Sequence, residues 1–433
     1  MQPSGQEGAF YGWRVVAAVF VLATFGWGLG FYGPPVFLHA VRQARGWPLA
    51  LVATAVTAHF LFGAIMVASL PRLYRCFGVP AVTKAGAVAL ALGIFGWALA
   101  REPWQLFAAT LASGGGWATM GAAAVNAIIA PWFVRMRPLA LTSAYNGSSV
   151  GGIIFSPLWG AAIALIGFPW ASVAIGTVTI ITIWILADYY YSKTPEGMGL
   201  KADGDARSAA AAFAASPSAS PLSGNRLWID RRFVTLAAGM ALGLFAQIGL
   251  LAHLISLLAP SLSAQGAAFA AGAATAAAIA GRTFVGWLMF PGADRRLFAC
   301  GSCFVQILGS IAFLLAGSHN VPLLLLGVAL FGAGIGNTTS LPPLIAQAEF
   351  ATEDVLRVVP AIVAASQATY AFAPAAFGLI ADFAPRWGPA AAAKWLFIAA
   401  ALIQVLAAAA FLCGRQKIGN DLPGRGSSAP IRP

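Results

Sequence analysis

Arg282 is the residue of this 433-residue chain best equipped for chemistry. It stands in Ala280-Gly281-Arg282-Thr283, inside an apolar run at about 265–290. A guanidinium keeps its proton in any protein setting, and its planar fork of donors grips a carboxylate through two parallel bonds. With the run taken as 267–290 and a rise of 1.5 Å per residue, the charge lies about 12 Å from the run's C-terminal end. Holding it there costs roughly 2.5–3.5 kcal/mol on insertion scales. It must therefore face a wet cavity, a partner or an anion, or else snorkel along its own stem to the interface. No Asp or Glu stands in the middle of an apolar run; Asp188 and Asp382 lie near run ends.

Two histidines also fall within such runs, His59 and His253. Imidazole titrates near neutral pH, which suits proton coupling. A histidine hydrogen-bonded between helices is the other reading of each. His39 and His319 lie near run ends and read as structural. Tyr32, Asn126, Tyr145, Asn146, Gln247, Asn337, Gln367 and Tyr370 are uncharged polar residues inside the runs. Some of them should line a cavity and hydrogen-bond a carboxylate. The others only join helices, where such bonds average about 0.6 kcal/mol.

Other patterns carry less. Gly147-Ser148-Ser149-Val150-Gly151 matches the nucleophile elbow of hydrolases, but that elbow follows a strand, and this stretch sits in an apolar helical run. Cys300-Gly301-Ser302-Cys303 matches a redox or metal spacing without further ligands nearby, so it reads as small buried residues. Gly147-x-x-x-Gly151 and Gly332-x-Gly334-x-Gly336 suit close helix approach. No Gly-x-x-x-x-Gly-Lys-Ser/Thr loop is present, so ATP does not drive the protein directly. No cofactor and no metal are expected.

The elements that hold these residues follow from composition. Apolar residues make up 60% of the chain and charged residues 9%, where a soluble chain carries roughly 25% charged. That excludes a soluble domain and a disordered chain, and four cysteines make no disulfide framework. A membrane span takes roughly 20 apolar residues. Such runs fall at about 14–38, 48–70, 79–100, 104–130, 138–165 and 168–190, and again at about 233–258, 265–290, 296–317, 321–347, 357–384 and 390–413. The expectation is twelve helices in two six-helix bundles: 1–190, a linker 191–231, 232–415, and a tail 416–433. The stretch 202–224, rich in Ala, Ser, Pro and Gly, is the flexible part of the linker.

With the N-terminus placed inside, nineteen of the 25 Lys and Arg lie on the cytoplasmic side, Arg295, Arg296 and Arg357 among them as loop residues. Five lie outside, and Arg282 is within a span. This asymmetry places both termini in the cytoplasm, and it accounts for the net charge of +12 without nucleic acid. The first apolar run is too long for a cleavable signal. The halves also echo each other. Pro157 and Pro374 are 217 positions apart and Arg137 and Arg357 are 220 apart, the offset of a duplicated six-span unit.

Several stretches resemble the major facilitator superfamily, and more narrowly its monocarboxylate-transporter-like branch, which includes the oxalate/formate exchangers. They are Tyr11-Gly12-Trp13-Arg14-Val15-Val16 at the first span, Pro131-Trp132-Phe133-Val134-Arg135-Met136-Arg137-Pro138-Leu139-Ala140 between spans four and five, the Gly147–Pro157 run, and Ala280-Gly281-Arg282 followed by Gly286 and Asp294-Arg295-Arg296. The chain departs from the pattern at four places. Arg75 stands where the superfamily's Asp-Arg-x-Gly signature has Asp. An apolar or Tyr position near Phe31–Tyr32 replaces a first-span Lys. Ala278 stands where animal proton-coupled members have Asp. The second cation of the oxalate exchangers has no counterpart, the nearest polar residue being Gln367.

The resemblance implies a secondary transporter with Arg282 as its anion site. One cation matches one negative charge, because a second buried carboxylate would stay unpaired; this favours a monocarboxylate over oxalate. The expected ligands are Arg282, Tyr32, Asn126, Tyr145, Asn146, His253, Asn337, Gln367 and Tyr370, with His59 and His253 as proton-coupling candidates in symport, or anion exchange instead. The expected setting is a bacterial inner membrane, with a functional monomer. An efflux carrier for another solute or drug is the alternative, although a cation carrier would want a mid-span carboxylate. A membrane enzyme lacks its carboxylate pair or His cluster, and a scaffold leaves Arg282 without a role.

Overall fold

A computed structural model describes residues 10–204, 224–290, 293–317, 320–387 and 391–415. Residues 205–223 of the expected linker, the tail from 416 and His319 lie outside these residues. Among the described residues the chain is helical throughout, with no strand. The first region holds α1 (Tyr11–Gly30), α2 (Gly33–Arg45), α3 (Leu49–Leu99), α4 (Pro103–Met120), α5 (Ala122–Ile129) and α6 (Arg137–Leu186). The second holds α7 (Arg231–Leu288), α8 (Arg295–Ala316), α9 (Val321–Glu349), α10 (Thr352–Tyr370), α11 (Ala373–Phe383) and α12 (Ala391–Cys413).

Eight helical stretches of the described residues are long and apolar enough to cross a membrane. Three of them, of 51, 53 and 58 residues, far exceed one crossing. Each is interrupted where the sequence predicts a loop. In α3 and α6 the break is a Gly-x-Pro unit, Gly78-Val79-Pro80 and Gly167-Phe168-Pro169, with φ of 77° at both glycines. Glycine takes the left-handed φ without steric penalty, and proline is preorganised for the first turn of the next limb. In α7 the break is Ser263, at φ 65°, whose hydroxyl accepts the Gly266 N–H at 3.2 Å and so caps the second limb.

The predicted run 14–38 is not one straight helix. It breaks at Phe31–Tyr32, before Gly33-Pro34-Pro35 starts α2. The run 357–384 likewise breaks between Tyr370 and Ala373, before Pro374. The predicted glycine stripes do pack helices closely. Gly147 and Gly151 lie on the α1 backbone at Phe20 and Thr24, and Gly332 and Gly336 lie on α7 at Ala274 and Ala278. Cys300 and Cys303 lie in α8, and all four cysteines are free.

The two regions meet at the end of the molecule that carries the Gly46 and Ser263 turns. There the N-terminus of α3 has its Ala50 N–H bonded by Asp382 of α11 at 2.8 Å, and the first turn of α11 has its Ala375 N–H bonded by Thr57 of α3 at 3.1 Å. Each region thus satisfies an otherwise orphan donor at a helix start of the other. Gly378 packs on Ala50 and Ala53, and His39 meets Ser256 at 3.2 Å. The opposite end carries Tyr11 and Cys413. There Arg296 corrects its assignment to a loop: it is 1% exposed, and its guanidinium meets both Glu349 carboxylate oxygens at 2.6 and 2.8 Å. Three further acceptors, Thr235 Oγ1 and the Phe411 and Arg232 carbonyls, complete its shell.

Candidate functional site

Arg282 lies on the second limb of α7, half-buried, and donates through Nε to the Gly336 carbonyl of α9 at 3.3 Å. Close packing at Gly336 makes this possible, since a Cβ there would sit 3.1 Å from Nε. Among the described residues no carboxylate reaches its guanidinium, whereas Arg232, Arg296 and Arg415 are each paired with one. Two turns back on the same face, Thr275 reaches the Tyr32 phenol, and the phenol lies within electrostatic range of Arg282. Tyr32 sits at the elbow between α1 and α2, the break that the following prolines create. Gly152 of α6 closes the group: a Cβ at 152 would stand 2.7 Å from the Tyr32 ring and 2.7 Å from the Thr275 methyl. Two sequence-predicted residues, Arg282 and Tyr32, are therefore brought together from opposite regions.

Next to this group lies a small apolar cavity of about 30 Å³. Tyr32, Val56, Phe60, Ser156, Ile255 and Ala271 line it, with further apolar side chains of α7. Tyr32 belongs to both the polar group and the cavity. The aromatic wall continues outward: Phe60 stacks edge-on against Trp117 and Tyr370, with ring centroids 5.4 and 6.2 Å apart.

The remaining predicted residues divide. Asn126 donates to the Tyr145 hydroxyl at 2.7 Å, and the Tyr145 ring meets Trp27 edge-on, forming a separate cluster in the first region. Asn146 is exposed beside it. Asn337 adjoins the carbonyl that holds Arg282; it is 3% exposed and its Oδ1 is unpartnered. Gln367 is half-buried one turn before Tyr370. His253 is fully buried, with Nε2 donating to the Pro374 carbonyl at 3.0 Å and Nδ1 unpartnered, and it is not among the cavity-lining residues. His59 has both nitrogens engaged. Nε2 donates to the Gly30 carbonyl at 2.9 Å, and Nδ1 meets the Ser113 hydroxyl at 2.9 Å. That arrangement makes His59 a tie between α1, α3 and α4.

Sequence reasoning missed Thr275 and Ser156, because hydroxyl residues are common in membrane helices and can satisfy themselves locally. Thr275 also bonds the Ala271 carbonyl at 3.2 Å. It also missed a buried chain in which Gln404 donates to Gln306 at 3.0 Å and Gln306 to Thr338 at 3.2 Å, tying α12, α8 and α9.

The sequence profile described as Major Facilitator Superfamily matches residues 16–353. The chain belongs to the Major Facilitator Superfamily. It is thus an integral membrane protein of a transporter family. MFS-type transporter 1 of Ophiocordyceps sp. (strain BCC 1869) is 29% identical over 187 residues, 42% of this chain and 40% of that protein. Monocarboxylate transporter 11 of Mus musculus is 27% identical over 186 residues, 41% of this chain and 40% of that protein. The chain therefore matches less than half the length of these curated relatives. In fold it is similar to a bacterial homolog of the human lysosomal transporter Spinster, crystallised in an inward-facing and unoccupied conformation. The TM-score is 0.72 at 15% identity, over 95% of this chain and 98% of that one. Arg282 lies inside the matched superfamily segment.

Proposed function

We propose that this superfamily member is a secondary transporter that carries a small organic anion, a monocarboxylate, by alternating access. Its twelve spans come from two crossings each by α3, α6 and α7, one each by α1–α2, α4–α5 and α10–α11, and one each by α8, α9 and α12. They form bundles over 1–190 and 232–415, joined by the linker 191–231. The basic-residue asymmetry puts both termini, and the Tyr11/Cys413 end, in the cytoplasm, in a bacterial inner membrane, with the monomer as the working unit.

The observation that carries this reading is Arg282: a span cation with no carboxylate partner among the described residues, two turns along α7 from the Thr275 that packs beside Tyr32. An entering carboxylate takes a bidentate grip on the guanidinium, and Tyr32 and Thr275 supply hydroxyls beside it. The bound anion neutralises the charge and draws the bundles together on the cytoplasmic side. The reciprocal Asp382 and Thr57 caps then release, and the site opens outward. Transport runs with protons or by exchange for a second anion. His253, with its free Nδ1, is the group we assign to proton coupling, and His59 is a structural tie.

The test is uptake of labelled lactate, pyruvate, formate and oxalate into proteoliposomes, with and without an imposed pH gradient, for wild type and Arg282→Lys. Saturable monocarboxylate uptake that the mutant loses despite normal insertion is the expected result, and response to the gradient distinguishes symport from exchange. Full activity with Lys at 282 overturns the arginine grip.

A further inference from the structure

We propose that His39 is a proton sensor at the end of the molecule that carries the Gly46 and Ser263 turns: taking up a proton there loosens the contact between α2 and α7 and opens that end. It deepens the proton-coupling reading above, and rests on it only in placing that end outside the cytoplasm. Three observations carry it.

The first is position. His39 stands on α2 of the first region, and its Nδ1 meets the Ser256 hydroxyl of α7, in the second region, at 3.2 Å. It is a polar tie across the seam, beside the reciprocal Asp382 and Thr57 caps, so a change in its charge acts on the seam itself. The second is the other ring nitrogen. Nε2 is buried and has no hydrogen-bond partner among the described residues. An imidazolium carries an N–H at both nitrogens, so a proton taken up in the closed arrangement sets a charged donor where nothing accepts it.

The third is the charge around it. Burial opposes the cation, and Arg42, one turn on along α2, repels it. Arg45 follows at the end of the same helix. From α7 comes His253, one turn before Ser256, bonded to the Pro374 carbonyl and also within range of Arg42. From α11 comes Asp382, which acts on His253 and is engaged by the Ala50 N–H. The first half of α3 offers His59, whose two nitrogens are both taken. Neither α1 from Val15 to Gly30 nor α6 from Asn146 to Ala187 holds a titratable side chain. In an open seam the ring is in water and titrates near the ordinary value of about 6.5. The open end thus binds the proton more readily than the closed one. Closure is fully favoured above that value and weakens as pH falls through it. The one bond formed is N–H, and the proton comes from water on that side.

The test is a distance measurement by pulsed electron paramagnetic resonance on the full-length protein in lipid nanodiscs. Spin labels go at the exposed positions 44 and 386, with Cys76 and Cys413 changed to serine. Samples at about pH 7.5 and about pH 5.5 bracket imidazole titration and keep the Asp382 carboxylate charged. We expect the longer-distance population to rise about threefold or more in acid. His39→Asn keeps a polar group opposite Ser256 but cannot take up the proton, and it should hold its neutral-pH distribution in acid. Arg42→Gln removes the repelling charge and should shrink the rise, and it decides the question if His39→Asn does not fold. A wild-type distribution that ignores pH overturns the proposal, and so does a full acid response in either variant. A response kept by His39→Asn but lost in His253→Asn overturns the sensor and leaves His253 standing as the coupling group.

Discussion

At the end that carries Tyr11 and Cys413 the two regions are held by different physics. In the second bundle a buried arginine has its full set of partners. Arg296 bridges α8 to Glu349 of α9, Thr235 of α7 and the Phe411 carbonyl of α12, and Asp294 pairs with Arg415 at 2.6 Å. In the first region one ion pair at this end is Lys84–Asp188 at 2.5 Å, with the Asp188 side chain 56% exposed. Its stronger anchor comes from the linker. Asp203 accepts the backbone N–H groups of Val134, Arg135 and Met136, at 2.7 Å from Arg135, immediately before α6 begins. A desolvated charge with every donor satisfied locks helix ends into one geometry, whereas an exposed pair contributes little. The helix ends of the second region are thus fixed around Arg296, and the end of the first is fastened by Asp203.

The largest effect should come from Glu349→Ala. It strands the Arg296 guanidinium in a buried site and should cost about 3–5 kcal/mol, read as a fall in thermal unfolding midpoint in detergent. Replacing both partners with apolar residues (Arg296→Met with Glu349→Leu) should recover most of the loss. If Glu349→Ala is as stable as wild type, the contrast between the bundles fails.

Next is the closed end. Asp382→Ala with Thr57→Val removes both reciprocal caps. At about 1 kcal/mol for each lost cap, the population should shift about thirtyfold toward separation at that end. Spin labels at positions 42 and 386, with Cys76 and Cys413 changed to serine, would report it as a longer distance. An unchanged distance distribution would mean that the caps follow closure and do not stabilise it.

Asp203 gives a pH-dependent effect. Burial raises its carboxyl pKa, but the N–H bonds from Arg135, Met136 and Val134 and the Arg135 charge outweigh it, leaving the pKa below the ordinary carboxylate value. With a depressed folded pKa, the docking contribution is fully present above the unfolded value of 3.8 and is lost as pH falls through the folded one. Limited proteolysis of residues 193–204 should thus be slow at neutral pH, faster in strong acid, and faster at neutral pH in Asp203→Asn. Equal cleavage of wild type and variant at neutral pH would show that the carboxylate does not hold the segment. The smallest effect is Lys84→Ala, about 0–1 kcal/mol by the same unfolding assay; a larger loss would erase the asymmetry.

Much of this was legible in order along the chain. A charge inside an apolar run cannot be neutral in meaning, and Arg282 announced itself for that reason. Tyr32 was legible as a polar residue in a span, and the breaks in α3 and α6 as the gaps between apolar runs at about 70–79 and 165–168. Arg296 was not. Its neighbours in sequence are Arg295 and Leu297, which look like a loop edge, and its partners stand 53 to 115 positions away. His59 was legible as a buried titratable group but not as a tie, because its partners come from Gly30 and Ser113 on two other helices.

What the sequence by itself determined was the solvent and the chemistry available in it. Sixty per cent apolar residues require helices that satisfy their own backbone in lipid, and a lone span arginine requires something negative or wet beside it. Only the tertiary structure decided which side chains share a site. Tyr32 and Arg282 are 250 positions apart, and the α1–α2 elbow, the small face at Gly152 and the carbonyl at Gly336 bring them together. The same packing leaves the apolar cavity between them and the closed end. Hydropathy is written residue by residue, but an empty volume is a property of several helices at once, so no stretch of the chain records it.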